Sequence, residues 1–219
     1  MNIGILGTGV VGETIATALI KKRHNVMMGS RNAGSDKAAA WVKKAGKNAQ
    51  EGSFDAAARF GEILFICLNG EHALRAVETL APEHVAGKIV LDITNPLDFT
   101  HGMPPRILEE YSVVSLGERI QQALPNSYVV KTLNTVTAAL MVDARKVGRG
   151  AHGLFLCGND KDAKNKVAHF LADNFYWKGD HFIDLGPITA SRVVEGLVPL
   201  WVQTWQALGT PMFNFRVVR

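Results

Sequence analysis

Cysteine, long apolar runs and clustered charge are all scarce in this chain, and each shortage removes a class of protein. Two cysteines, Cys67 and Cys157, among 219 residues make neither a metal framework nor a disulfide scaffold. Both stand in apolar runs, Ile63–Leu68 and Leu154–Cys157, where a thiol reads as a small core hydrophobe. No apolar run approaches the roughly 18 to 20 residues that cross a bilayer, and the amino terminus lacks the charged, then apolar, then small order of a signal peptide. A cytoplasmic protein without membrane partners is expected. Lys and Arg number 24 against 20 Asp and Glu, a net charge of +4, which would suit a polyanion only if gathered on one face. Lys21-Lys22-Arg23, Lys43/Lys44/Lys47 and Lys161/Lys164/Lys166 are instead interleaved with acids, and no basic-and-aromatic array accompanies them. They read as solvated faces, with no nucleic-acid partner. Internal repeats, low-complexity segments and long linkers are also lacking.

What is present, with 47% apolar residues, is an alternation of short apolar runs with longer helix-like stretches, the pattern of βαβ units on a parallel sheet. Strands are predicted at Asn2–Leu6, Asn25–Gly29, Glu62–Leu68, Lys88–Ile93, Tyr128–Leu133, Gly153–Cys157 and His181–Asp184, with a short one near Asn48–Gly52. Most are continuous apolar runs, as in strands covered on both faces. Helices are predicted at Val10–Lys22, Lys37–Ala45, Phe54–Arg59, Glu71–Leu80, Leu116–Leu124, Ala138–Asp143 and Asp162–Asn174. Thr94–Tyr111, with Pro96, Gly102, Pro104 and Pro105, reads as a loop at the sheet's carboxyl edge. Ile188–Leu208 carries an apolar stripe through Val194, Val198, Trp201, Trp205 and Leu208, which Pro199 should kink or interrupt. The expected fold is α/β: a doubly wound, mostly parallel Rossmann sheet over residues 1–187, with a short helical extension over 188–219.

Gly7-Thr8-Gly9-Val10-Val11-Gly12 follows the first strand and opens the first helix, the context that gives a G-x-G-x-x-G pattern its meaning. Gly7 allows the tight turn, Gly9 lets backbone approach a pyrophosphate, and Gly12 lets helix and strand pack closely. Free amides and the helix dipole then meet the phosphates. At the end of the second strand, where an NAD site offers a carboxylate, stands Gly29-Ser30-Arg31-Asn32. A Ser30 hydroxyl and an Arg31 guanidinium suit a 2′-phosphate, so NADP(H) is the predicted cofactor.

These residues, with Asp92–Leu97, Val130–Thr135, Asp184–Ile188, Ser191–Glu195 and Phe213–Phe215, resemble the NADPH-dependent reductases of the deazaflavin coenzyme F420, in particular their bacterial branch. The resemblance spans nearly the whole chain. It implies that Gly7, Thr8, Gly9, Val10, Val11 and Gly12 line the pyrophosphate and that Ser30 and Arg31 meet the 2′-phosphate. Leu68 and Asn69 would flank the cofactor; Asn95, Pro96 and Leu97 would approach the nicotinamide, and Asn134, Thr135 and Val136 would form the neighbouring wall. It further implies a homodimer with the second substrate, coenzyme F420 or a flavin, between the Rossmann unit and the terminal helices. Gly186, Pro187, Arg192, Glu195 and Trp201 are the candidates for that second-substrate pocket or for the interface.

Hydride transfer to a flavin-like ring needs two rings held face to face more than it needs a general acid. That suits a chain with no triad and no metal-ligand spacing. For reduction of a carbonyl or imine, a placed proton donor is wanted, and His101 and Lys131 are the residues to consider, although each also reads as an ordinary solvated side chain. Arg192 and Glu195, three apart, read equally as an intrahelical ion pair or as shapers of the pocket. A module that binds NADP without turnover, and a carbonyl or imine reductase of related fold, therefore stand beside the flavin-like acceptor as alternatives.

Overall fold

The computed structural model describes residues 1–218; Arg219, the end of the expected extension, lies outside the described residues. In chain order the elements are β1 (Asn2–Leu6), α1 (Val10–Lys21), β2 (Asn25–Ser30), α2 (Asp36–Ala45), β3 (Ala49–Ser53), α3 (Phe54–Phe60), β4 (Ile63–Ile66), α4 (Gly70–Val77), α5 (Pro82–Val85) and β5 (Ile89–Asp92). A small ribbon, β6 (Leu97–Asp98) and β7 (Arg106–Ile107), precedes α6 (Leu116–Ala123), β8 (Tyr128–Thr132), α7 (Ala138–Met141), β9 (Leu154–Cys157), α8 (Lys161–Phe175), β10 (Phe182–Asp184), α9 (Ser191–Gly196) and α10 (Val198–Leu208).

Eight strands form one sheet in the order β3-β2-β1-β4-β5-β8-β9-β10. The first six run parallel, whereas β9 pairs antiparallel with β8 and β10 parallel with β9. This is a doubly wound Rossmann sheet with two reversed strands at one edge. Both faces are apolar because successive side chains alternate sides and both sides are covered. Ile3, Ile5, Phe65, Leu91 and Val130 pack under α1, α7 and α8, with Ile15, Leu19, Leu140, Val167 and Leu171. Leu6, Leu64, Ile66, Val90 and Val129 pack on the opposite face under α3, α4 and α6, with Ala57, Ala73, Val77, Leu116 and Ile120.

The expected strands are all found: β1 keeps its bounds, β2 runs one residue further, β3 is shifted by one, and the others are trimmed by one or two residues at one or both ends where the chain leaves the ladder. Two segments differ more. Thr94–Tyr111 holds the antiparallel β6–β7 ribbon, registered Leu97 to Ile107 and Asp98 to Arg106, and a 3-10 turn at Glu109–Tyr111. The 188–208 stripe is two helices with Leu197 between them, Pro199 standing in the first turn of α10, where a missing N–H breaks no helical bond. The tail returns to the sheet edge: Asn214 Nδ2 donates to the Gly153 carbonyl at 2.8 Å, and the Gly153 N–H donates to the Phe215 carbonyl at 3.0 Å. Among the described residues no helix is long and apolar enough to cross a membrane, and no group of three or more His, Cys, Asp or Glu is placed to hold a metal ion.

Candidate active site

The parallel strands bring their carboxyl ends, with the turns that follow β1, β2, β4, β5 and β8, to one edge of the sheet. At the turn after β1, Gly7 has φ +127°, and a Cβ there would overlap the Cys67 carbonyl; glycine is required on both counts. A Cβ on Gly12 would overlap the Gly7 carbonyl, so α1 meets the strand backbone closely. Gly9 is different, because a Cβ there would project into open space. Its lack of a side chain leaves room for something outside the protein. No side chain caps α1, and Val10 beside it is 77% exposed. Thr8, Gly9 and Val10 also border a cavity of about 820 Å³ whose far wall is α2, with Lys37, Lys43 and Lys44. All three lysines stand on α2, and the α1–α2 packing sets them beside the glycine turn, Lys44 pairing with Glu13 of α1 at 3.5 Å.

At the end of β2 the two expected phosphate donors part company. Ser30 is buried and its hydroxyl donates to the Asn32 carbonyl at 2.6 Å, which holds the turn's shape. Arg31 is exposed and, among the described residues, has no hydrogen-bond or ion-pair partner.

The second cavity, of about 450 Å³, is where β4, β5 and β8 end. Leu68, Asn69, Asn95, Leu97, Asn134 and Val136 line it, joined by Val11 from α1 and by Val198, Trp201, Val202 and Trp205 from α10. Its polar wall is a pair of asparagines: Asn95 Nδ2 donates to the Asn134 carbonyl at 2.8 Å, and Asn134 Nδ2 donates to Asn95 Oδ1 at 2.9 Å. Gly70, which sequence reasoning passed over, permits this wall, since a Cβ there would overlap the Asn95 carbonyl. Phe99 and Met103, exposed residues of the connection between β6 and β7, also line the cavity.

Behind the wall lies a buried charge cluster. Lys131 is fully buried and its ammonium meets Asp92 Oδ2 at 2.9 Å, Glu195 Oε1 at 2.8 Å and the Thr94 carbonyl at 2.7 Å. Asp92 Oδ1 accepts from the Thr94 N–H at 2.9 Å and from its hydroxyl at 2.6 Å. Glu195 accepts from the first amides of α6, Leu116 N–H at 3.1 Å and Gly117 N–H at 2.9 Å. Burial works to lower the Lys131 pKa, but the two carboxylates outweigh it and hold it above the ordinary lysine value. The reading of Lys131 as a solvated lysine is thus corrected, and so is its candidacy as a proton donor: all three of its protons are engaged away from the cavity. His101 is exposed and stands outside the cavity wall, 3.9 Å from Asp98.

The structure also separates the residues grouped as a second-substrate site. Because β10 is reversed, Gly186 and Pro187 fall at the opposite edge of the sheet from the glycine turn, where Gly186 N–H donates to Asp184 Oδ1 at 2.8 Å. Ile188 and Thr189 beside them line a different hollow with Glu118, Tyr128 and Asp160. Arg192 pairs across helices with Glu118 at 3.4 Å, not with Glu195 along its own. Of the five, only Trp201 lines the cavity, its ring stacked on Phe213 with centroids 5.4 Å apart. Thr135 and Pro96 are buried behind the wall rather than in its surface. Both cysteines are unpaired. Burial, with the charge of Asp92 adding, pushes the Cys67 thiol far up, and burial pushes that of Cys157 to about 12, so neither is a nucleophile at neutral pH.

The parallel sheet, the glycine turn opening α1 and a cavity at the sheet's carboxyl edge define a dinucleotide-binding Rossmann protein. Comparison with known proteins narrows the class. A family model described as NADP oxidoreductase, coenzyme F420-dependent, matches residues 2–96. An F420-dependent NADP reductase of Methanocaldococcus jannaschii is 32% identical over 212 residues, 92% of this chain and 91% of that protein. A crystal structure from Arthrobacter sp. FB24, of a protein provisionally described as an F420-dependent NADP-reductase, superposes with a TM-score of 0.90 at 40% identity, covering 100% of both chains. Metalloreductase STEAP3 of Rattus norvegicus is 29% identical over 214 residues; the chain spans 39% of that protein's length. The chain belongs to the coenzyme F420-dependent NADP oxidoreductase family, and it is an NADP-dependent oxidoreductase.

Proposed function

We propose that this enzyme moves a hydride between NADP(H) and a flat flavin-like ring, the deazaflavin coenzyme F420 or a flavin. The observation that carries this reading is the 450 Å³ cavity, which has apolar and aromatic walls, an asparagine pair and no titratable side chain in its lining. A carbonyl or imine reductase would want an acid there, and the two residues considered for that task are buried in an ion cluster or exposed outside the wall. When bound, NADPH supplies the hydride; the acceptor ring takes it up with a proton from water, so that NADPH, acceptor and one proton give NADP⁺ and the reduced acceptor.

The protein's share is positioning. Thr8 to Gly12 offer backbone amides to the pyrophosphate, with the open space over Gly9 as the seat. Arg31 meets the 2′-phosphate, while Ser30 shapes the turn that presents it. Leu68, Asn69, Asn95 and Leu97 hold the nicotinamide, with Pro96 fixing the loop, and Asn134 to Val136 back the acceptor. Residues 1–187 act as the cofactor unit and the described part of the extension, 188–218, closes the cavity with Trp201. Val193, Leu200 and Leu208 leave an apolar face exposed on α9 and α10, and a second copy of the chain covers it. The unpaired cysteines suit a reducing cytoplasm.

The test is stopped-flow oxidation of NADPH with riboflavin, FMN, coenzyme F420 and ferric chelates as acceptors. A module that only binds NADP shows binding and no oxidation with any of them. In wild type NADPH is preferred to NADH; Arg31→Ala raises the KM for NADPH by roughly 10- to 100-fold, as expected for loss of a charge-assisted contact, and leaves that for NADH unchanged. Equal use of both cofactors by wild type would overturn the specificity.

A further inference from the structure

The β8–α7 connection leaves polar atoms of the cavity wall without a protein partner, and their role deepens the acceptor reading above, on which it rests. Asn134 is 5% exposed, and its Nδ2 donates to Asn95 Oδ1 and, at 3.1 Å, to the Val194 carbonyl. A backbone carbonyl can only accept, so the nitrogen must face Val194 and the amide cannot be flipped. Asn95 is fixed the same way, because its nitrogen donates to the Asn134 carbonyl. Asn134 Oδ1 therefore points away from both partners, and no hydrogen bond among the described residues reaches it. The sealed side-chain polar atoms without a partner are His24 Nδ1 and Trp201 Nε1, so Asn134 Oδ1 is open to solvent from the cavity it lines. Thr137, one turn further along, also lines the cavity, and its hydroxyl makes no cap to α7. One tight connection between β8 and α7 thus offers an acceptor that cannot become a donor and, three residues on, a hydroxyl free to donate, in a lining whose other polar side chains are Asn69, Asn95 and the two indoles.

We propose that this connection reads an imide-type ring edge: Asn134 Oδ1 accepts a hydrogen bond from a ring N–H, and the Thr137 hydroxyl donates to the adjoining C=O. Asn134 is then a specificity-determining residue for the acceptor, with Asn95 and Val194 as its positioning partners. An N–H beside a C=O occurs in two molecules at such a site, the imide of a flavin or deazaflavin ring and the carboxamide of nicotinamide. The acceptor ring is assigned here because Val194, which aims the amide, belongs to the terminal helices rather than to the cofactor unit.

The probe is 3-methylriboflavin, which differs from riboflavin only in having a methyl group in place of the imide proton. Dissociation constants for both come from quenching of flavin fluorescence, which needs no turnover, and NADPH affinity is measured separately. Wild type should bind riboflavin about tenfold more tightly than the methylated ring; Asn134→Leu should bind the two alike, and Thr137→Val should weaken both flavins equally. Equal binding of the two flavins by wild type overturns the inference. So does an Asn134→Leu variant that keeps the riboflavin preference, or one that loses NADPH affinity instead, since the partner of Asn134 would then be the nicotinamide carboxamide. Clear discrimination between the flavins with no NADPH oxidation would leave the ring contact standing and defeat the oxidoreductase reading of the acceptor, so the two failures are separable.

Discussion

Single residues at this site divide by whether they serve the fold or the ligand, and Gly9 against Gly7 shows how to tell. A side chain at Gly7 meets the Cys67 carbonyl in a backbone conformation that favours glycine, whereas one at Gly9 meets nothing, in extended backbone at φ −81° that alanine adopts freely. Gly9→Ala is expected to leave the melting temperature within about 2 °C of wild type, since surface changes away from special features lie within about 0.5 kcal/mol, while NADPH binding by titration calorimetry weakens about tenfold or more. Gly7→Ala should lower both. A Gly9→Ala protein that melts like Gly7→Ala would mean that Gly9 too is held for folding. Arg31, without a hydrogen-bond or ion-pair partner among the described residues, would group with Gly9 under the proposed function; Ser30, bonded to Asn32, groups with Gly7.

At the scale of elements, one buried cluster ties four of them together. Glu195 on α9 reaches Lys131 at the end of β8 and the first amides of α6, and Lys131 reaches Asp92 at the end of β5. Removing one member of a buried pair leaves the other charge uncompensated, at a cost of about 3 to 5 kcal/mol. Glu195→Ala is therefore expected to lose about that much in urea denaturation, with the terminal helices gaining protease sensitivity; a loss under about 1 kcal/mol would refute the clamp. The cluster also sets an alkaline limit. The Lys131 pKa is raised on folding, so its contribution is complete below the unfolded lysine value of about 10.4 and disappears as pH rises through the higher folded value. Far-ultraviolet circular dichroism should show wild type holding its helices beyond pH of about 10.4, with the Glu195→Gln unfolding midpoint at lower pH. An unmoved midpoint would show that Glu195 does not hold the Lys131 charge.

For the whole molecule, the exposed apolar residues on the last two helices matter most. Val193 is 69%, Leu200 54% and Leu208 57% exposed, and they stand on the same terminal part whose other side supplies Val198, Trp201 and Val202 to the cavity. Covering them with a second copy would stiffen one cavity wall, so assembly and acceptor binding should be coupled. Sedimentation velocity at micromolar concentration is expected to show a dimer for wild type and a monomer for Val193→Asp/Leu200→Asp, the latter with a higher KM for the acceptor and an unchanged NADPH dissociation constant. A wild-type monomer would refute the assembly.

Local order was legible in the sequence because its causes are local. Apolar runs such as Ile63–Leu68 make buried strands, Gly7 to Gly12 make the strand-to-helix turn, and Ser30-Arg31 replaces the carboxylate of an NAD site, all within a few residues. The sequence by itself therefore determined the α/β Rossmann class, the dinucleotide and its phosphate-binding residues as candidates. It could not show that Lys131, Asp92 and Glu195 meet, because they are separated by up to 103 positions and lysine in a sequence carries no sign of burial. Nor could it show that Gly186 and Pro187 lie at the far edge, which follows from the reversal of β9 and β10. Strand direction, the placement of Lys37, Lys43 and Lys44 beside the glycine turn, and the asparagine wall were decided only by tertiary packing, since each depends on elements brought together by the burial of their apolar faces and not on the order of residues within any one of them.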